Sequence, residues 1–210
     1  MTTLDDRIRS VPRPAPVLSR QRERSLTSRQ REILDALSPL VDDGFADLTM
    51  AGLAAELSCS LRTLYELAPS RDELVLVVVD RNLWRIGRTA AGALHEDMAP
   101  LDGLRAYLRA ATVAVARTTA AFARDMATVP AAQRLNDAHS NYLVAIARCL
   151  LDLAVERGDI ASVDTGAVAR VMAGLGRDLA RPEVISTLRS SPKDAADAMV
   201  DVILRGLAAA

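Results

Sequence analysis

Ser60-Leu61-Arg62-Thr63-Leu64-Tyr65 places a helix-capping hydroxyl directly ahead of a guanidinium, a second hydroxyl and a phenol. Arg62 carries a planar fork of donors that matches a guanine edge or a phosphate, and Thr63 and Tyr65 carry hydroxyls that donate to phosphate oxygens. The chemistry on offer is recognition of nucleic acid. No Ser-His-Asp, HExxH, P-loop or GxGxxG arrangement occurs in the chain. Gly174-Leu175-Gly176 lacks both a third glycine and a preceding strand. His95 and His139 are the only histidines and do not form a metal-ligand motif. Cys59 and Cys149 read as small buried hydrophobes. No catalytic residue, cofactor or metal is expected, and an all-α enzyme is the remote alternative.

The elements that must position these groups are helices. Apolar residues recur at three- and four-residue spacing almost throughout, and strand signals are nearly absent. Thr27 with Gln30 forms a capping box that opens a helix ending near Gly44, with Pro39 inside it predicting a kink or break. Thr49 caps a short helix, Met50 to Leu57. Ser60 caps another of about two turns, ending near Leu67. Ser70 with Glu73 starts a long helix to about Arg88. Leu53, Ala54 and Leu57 on the first short helix can pack against Leu64 and Leu67 on the second. That is a helix-turn-helix, whose second helix keeps one face free for a major groove.

Pro100, Pro130 and Gly158 punctuate further helices, near 101–117, 119–127 and 131–157, followed by 164–180 and 193–207. Eight to ten helices and no sheet are predicted. The fold class is all-α: an N-terminal three-helix DNA-binding domain over 27–75 and a larger helical domain over 76–210, with the helix from about 71 to 88 as connector. Residues 1–26 hold Pro12, Pro14 and Pro16 and read as a flexible basic arm. The arm carries +3 and residues 27–75 carry −5, although the whole chain is near neutral at −1. Half of the chain is hydrophobic, enough for a sizeable core, yet no apolar run approaches the roughly 18 residues of a membrane span. With no secretory signal visible, a cytoplasmic protein without a membrane partner is expected.

Gly44-Phe45, Thr49, Ala51, Leu53-Ala54, Ser60, Thr63-Leu64-Tyr65, Pro69-Ser70-Arg71 and Leu74 stand in the order found in the DNA-binding domain of TetR-family transcriptional regulators, which residues 28–75 resemble. The resemblance implies phosphate contacts from Thr49, Thr63, Tyr65 and Arg71, a cap at Ser60, and base reading from Leu61 and Arg62. Four residues depart from the family: Ser58 stands where a turn glycine is common, Leu67 replaces a frequent His, Ala68 replaces a usual Phe, and Pro39 is atypical in the first helix. With the acidic balance, these departures lead to the expectation that Arg20, Arg22 and Arg24 of the arm add phosphate or minor-groove contacts.

The resemblance further implies a homodimer on a palindromic double-stranded DNA operator, repression, and release by a small molecule. Dimer contacts are expected from Val168, Met172, Met199 and Ile203 on the last two long helices, whose apolar positions also include Val171 and Val200. An effector cavity is expected among residues 101–180, with Tyr107, Phe122, Met126 and Tyr142 as candidate lining. The chain has few aromatics, so the ligand should be largely apolar. Arg109, Arg117 and Arg148 are candidates for an anionic head group. The alternative is a helix-turn-helix regulator without a small-molecule effector, acting constitutively or through a protein partner.

Overall fold

The structure is a computed structural model that describes residues 4–95, 97–115 and 119–208. Arg117 lies outside the described residues. Among them are twelve helices and no strand: α1 Leu4–Ser10, α2 Arg20–Ser25, α3 Ser28–Asp42, α4 Met50–Glu56, α5 Leu61–Leu67, α6 Arg71–Ala91, α7 Pro100–Val115, α8 Ala120–Thr128, α9 Pro130–Arg157, α10 Thr165–Leu179, α11 Pro182–Ile185 and α12 Pro192–Ala208. Local capping sets most boundaries. The Thr27 and Gln30 side chains each accept the other's backbone N–H, forming the capping box of α3. Thr119 caps α8 and Asp164 caps α10. Gly44 and Gly158 take positive φ, 122° and 75°, just past α3 and α9.

Pro39 does not break α3, which runs unbroken to Asp42. The proline sits exposed in the last turn and gives up a single bond to the Asp35 carbonyl, while Asp43 N–H still closes onto the Pro39 carbonyl at 3.1 Å.

The chain divides into two compact units. The first comprises Pro14–Arg85 with Thr118–Asp137 and so contains α8, which the sequence reading assigned to the larger domain. Its core joins Ile33 and Leu37 of α3, Leu53 of α4, Leu64 and Leu67 of α5, and Leu74 and Val78 of α6. The second unit comprises Met1–Arg13, Ile86–Arg117 and Ala138–Ala210. Its core is built on Leu104, Tyr107, Ile146, Leu150 and Met172. Cys149 is half-buried there, and burial raises its thiol pKa.

The N-terminal segment is not the extended arm that its prolines suggest. α1 packs Leu4 onto the second unit's core, and Arg7 donates to Glu156 at 2.8 Å, which holds that carboxyl below its usual range. α2 joins the first unit, where Glu23 pairs with Arg81 and Val17 N–H donates to Asp80 at 2.9 Å. Local composition marked the linker between them but carried no sign of these distant partners.

α3 and α6 are tied by a polar chain. Ser38 donates to Asn82 Oδ1 at 2.7 Å, and Asn82 Nδ2 donates to Asp42 Oδ1 at 2.9 Å. Burial raises the Asp42 pKa, and the Asn82 bond and nearby Arg85 only partly offset this. A carboxyl whose folded pKa exceeds its unfolded value stabilises the fold below the unfolded pKa, and that contribution is lost as pH rises through the folded pKa. Asp42→Asn keeps the acceptor and removes the charge. Its stability relative to wild type should therefore rise with pH across the carboxylate range. Urea unfolding at pH 4 and pH 7 checks this, and an unchanged or falling difference would refute it.

Candidate nucleic-acid interface

The helix-turn-helix assembles as its caps dictate. Thr49 Oγ1 accepts the Gly52 N–H at 3.1 Å and starts α4. The turn that follows passes through Ser58 at φ 47°, the left-handed conformation in which a glycine is cheaper by about 1 kcal/mol. Cys59 N–H closes the turn onto the Ala54 carbonyl at 3.0 Å. Ser60 Oγ accepts the Thr63 N–H at 3.1 Å and lies 2.8 Å from Thr63 Oγ1. α5 is therefore capped at its first turn, and Thr63 is half-buried with its hydroxyl already engaged.

Two faces of α5 diverge. Leu64 and Leu67 are buried in the first unit's core, while Leu61 and Tyr65 are 44% and 53% exposed. Arg62 projects fully, with Nε donating to Glu66 Oε1 at 3.1 Å. Leu61, Arg62 and Tyr65, with Glu66, thus form one solvent-facing stripe on a helix narrow enough for a major groove about 12 Å wide. Its formal charge is zero, because Glu66 cancels Arg62.

Arg71 stands elsewhere than the resemblance implied. Its guanidinium turns inward and donates to the carbonyls of Leu48 at 2.9 Å, of Ala46 at 2.7 Å and of Phe45, and to Asp72 at 2.7 Å. A fork committed in this way braces the loop between α3 and α4 instead of waiting for a phosphate. Arg22 is also committed, because it donates to the Glu66 carbonyl at the end of α5. Arg20 and Arg24 remain exposed on α2, and neither makes an ion pair among the described residues. A residue outside the expected site meets the same loop: Asp125 of α8 accepts the N–H groups of Phe45 and Ala46 at 2.6 and 2.8 Å. No local signal could have found it, since its partners lie about 80 positions away in sequence.

The four aromatic and methionine candidates divide between the two units. Phe122 packs edge-on against Phe45 in the first unit, at 5.8 Å between ring centres, and Met126 is buried in the same core. Tyr107 and Tyr142 belong to the second unit's core, where burial raises the Tyr107 pKa. A hollow of about 290 Å³ in the second unit is lined instead by Leu101, Asp102, Arg105, Asp159, Leu204 and Arg205, among others. Arg109 and Arg148 are paired with Asp201 at 2.8 Å and Asp152 at 3.5 Å. Among the dimer candidates Met172 is buried in its own unit, and Val168 and Ile203 are half-buried. On these two helices the exposed large apolar residues are Val171 of α10, at 58%, and Met199 and Val202 of α12, at 43% and 52%.

No family model and no curated protein matches the chain. Solved structures do. A TetR transcription regulator from Haloarcula marismortui superposes with a TM-score of 0.74 at 18% identity, over 87% of this chain and 99% of that one. A TetR-family regulator from Rhodococcus sp. gives 0.70 at 16% identity, over 87% and 100%. AibR in complex with isovaleryl coenzyme A and operator DNA gives 0.61 at 20% identity, over 83% and 97%. At such identities the likeness is one of architecture, and it spans both units: the chain has the fold of the TetR-family transcriptional regulators.

Proposed function

We propose that the protein is a sequence-specific DNA-binding transcriptional regulator, a repressor that grips a palindromic operator as a homodimer and is released by a small, largely apolar ligand. The observation that carries this reading is the division of α5: two leucines buried beneath it, and Leu61, Arg62 and Tyr65 presented outward on a capped, two-turn helix. In this reading Arg62 reads guanine, Leu61 meets a thymine methyl group or other apolar base surface, and Thr49, Thr63 and Tyr65 touch phosphate.

The head itself carries a net negative charge over residues 27–75, so α2 supplies the positive charge. Arg22 pins α2 to the end of α5, which leaves Arg20 and Arg24 on a fixed element beside the reading helix. Phosphate neutralisation from there is electrostatic and independent of sequence. Dimerisation through α10 and α12 would cover Val171, Met199 and Val202, which otherwise stand in water. Binding two half-sites about one DNA turn apart requires such a dimer.

An acyl ligand is the class that the aliphatic composition favours, and AibR, similar in fold, has been solved with an acyl coenzyme A and operator DNA. A regulator without a small-molecule effector is the second reading. The hollow of about 290 Å³ in the second unit favours it, because that volume is at the lower limit of small-molecule sites.

Duplexes selected from a random pool, followed by fluorescence anisotropy, test the reading: a palindromic preference and salt-dependent affinity are expected, and failure to select any duplex refutes it. Arg62→Ala should cost about 1–3 kcal/mol of discrimination at one guanine per half-site and leave other positions unchanged. Arg20→Ala with Arg24→Ala should flatten the plot of log affinity against log salt by roughly two contacts and leave base preference intact. Val171→Glu with Met199→Glu should shift sedimentation from dimer to monomer without lowering helicity, whereas a dimer that persists would place the interface elsewhere.

A further inference from the structure

The corner between α3 and α4 has no regular hydrogen-bond ladder, yet most of its backbone N–H groups and several of its carbonyls are engaged. Asp43 and Gly44 N–H groups close back onto the end of α3. The next two, Phe45 and Ala46, both donate to the same carboxylate oxygen, Asp125 Oδ2. On the acceptor side, the Asp42 carbonyl receives Thr119 Oγ1 at 2.9 Å, and the carbonyls of Phe45, Ala46 and Leu48 receive Arg71. An anion thus takes the donors of the corner and a cation takes its acceptors.

α8 is shaped for this contact. A Cβ built on Gly44 would stand 2.9 Å from the Ala121 side chain, so only glycine lets the corner approach α8 so closely. The Phe122 ring, on the next residue, meets the Phe45 ring edge-on, and one turn further along Asp125 is almost wholly buried between the loop amides and its own helix. Buried carboxylates that accept two backbone N–H bonds are strongly directional anchors, because moving the loop would strand both the charge and the donors. Arg124 lies 3.9 Å from Oδ1 but is largely exposed, so the amides carry the interaction.

We propose that Asp125 is a positioning residue of the DNA-reading head. Its carboxylate, opposed by Arg71, sets the angle at which the chain turns from α3 into α4 and hence how α5 is presented. The inference rests on the DNA-binding reading and adds to it a determinant outside the helix-turn-helix.

The test uses the full chain and the duplex selected with wild-type protein. Asp125→Asn keeps one oxygen that can accept both N–H groups, so its affinity should stay within about threefold of wild type. Asp125→Ala leaves both amides unpaired, and operator affinity should fall roughly tenfold or more while binding to random-sequence duplex is unchanged. A mere loss of stability would lower both affinities together at the temperature of partial unfolding. A fixed presentation angle predicts more: wild type and Asp125→Asn should discriminate against operators with half-sites moved by one base pair, and Asp125→Ala should tolerate them. Hydrogen exchange at Phe45 and Ala46 should be slow in the first two proteins and fast in the third.

If Asp125→Ala does not fold, Asp125→Ser, polar but too short to reach both amides, takes its place. A folded variant of either kind that matches wild type in affinity and spacing preference overturns the proposal and leaves the DNA-binding reading intact. Failure of wild type to select any duplex removes both, even if the exchange pattern shows the clamp to be real.

Discussion

Burial of Leu64 and Leu67 is the interaction on which the reading head depends. A helix of seven residues has too few hydrogen bonds to offset its nucleation cost and does not persist alone in water. Each leucine that leaves water contributes roughly 1.5–3 kcal/mol, and together they hold α5 against α4 and α6. Ala54 makes the contact close by being small, and it is itself buried. With Leu64 and Leu67 spent inward and the Thr63 hydroxyl held by Ser60, Leu61 and Tyr65 can stand exposed without a core to serve. The caps at Ser60 and Thr49 then hold the first turns, where an unpaired N–H would otherwise fray them.

Arginine use follows from that economy. Most arginines of the first unit are consumed internally: Arg71 on loop carbonyls, Arg22 on the end of α5, Arg81 on Glu23 and Asp35, and Arg62 on Glu66. These contacts are not equivalent. The Arg62 pair is solvated and contributes well under 1 kcal/mol, so it is cheaply displaced. Arg71 is three-quarters buried and satisfies several carbonyls, so withdrawing it would leave acceptors unpaired at about 1–3 kcal/mol each. The charges left available at the surface are therefore not the charges counted in sequence.

That difference marks how far the sequence was legible. Caps and helix ends were readable because their partners lie three or four residues away: Thr27 with Gln30, Ser60 with Thr63, Ser70 with Glu73, Gly44 after α3. The left-handed turn at Ser58 was legible only through the resemblance, which puts a glycine at that position. What long-range contact decides was not. α1 and α2 form in a segment that looks like a linker, and they stay because Leu4, Glu23 and Val17 find partners far along the chain. Arg71 matched a phosphate-binding position in the resemblance, but the carbonyls it meets come from a loop more than 20 residues earlier. α8 was assigned to the larger domain because it follows α7 in sequence, although its side chains serve the first unit.

The apolar stripes of α10 and α12 show why helical periodicity alone is insufficient even where it is clear. Neighbouring positions on a helix point about 100° apart, so Val171 and Met172 cannot share a role. Met172 is buried against the second unit's core and Val171 stands in water; likewise Val200 is buried while Met199 and Val202 are exposed. A stripe wide enough to include both sets predicts that these helices have two apolar faces, one for their own unit and one left over. A single-unit core explains only the first. Three exposed large aliphatic residues on two neighbouring long helices are a costly arrangement unless something covers them, and a twofold-related copy of the same surface is self-complementary by construction. The apolar width of α10 and α12 is thus the physical support for the proposed dimer.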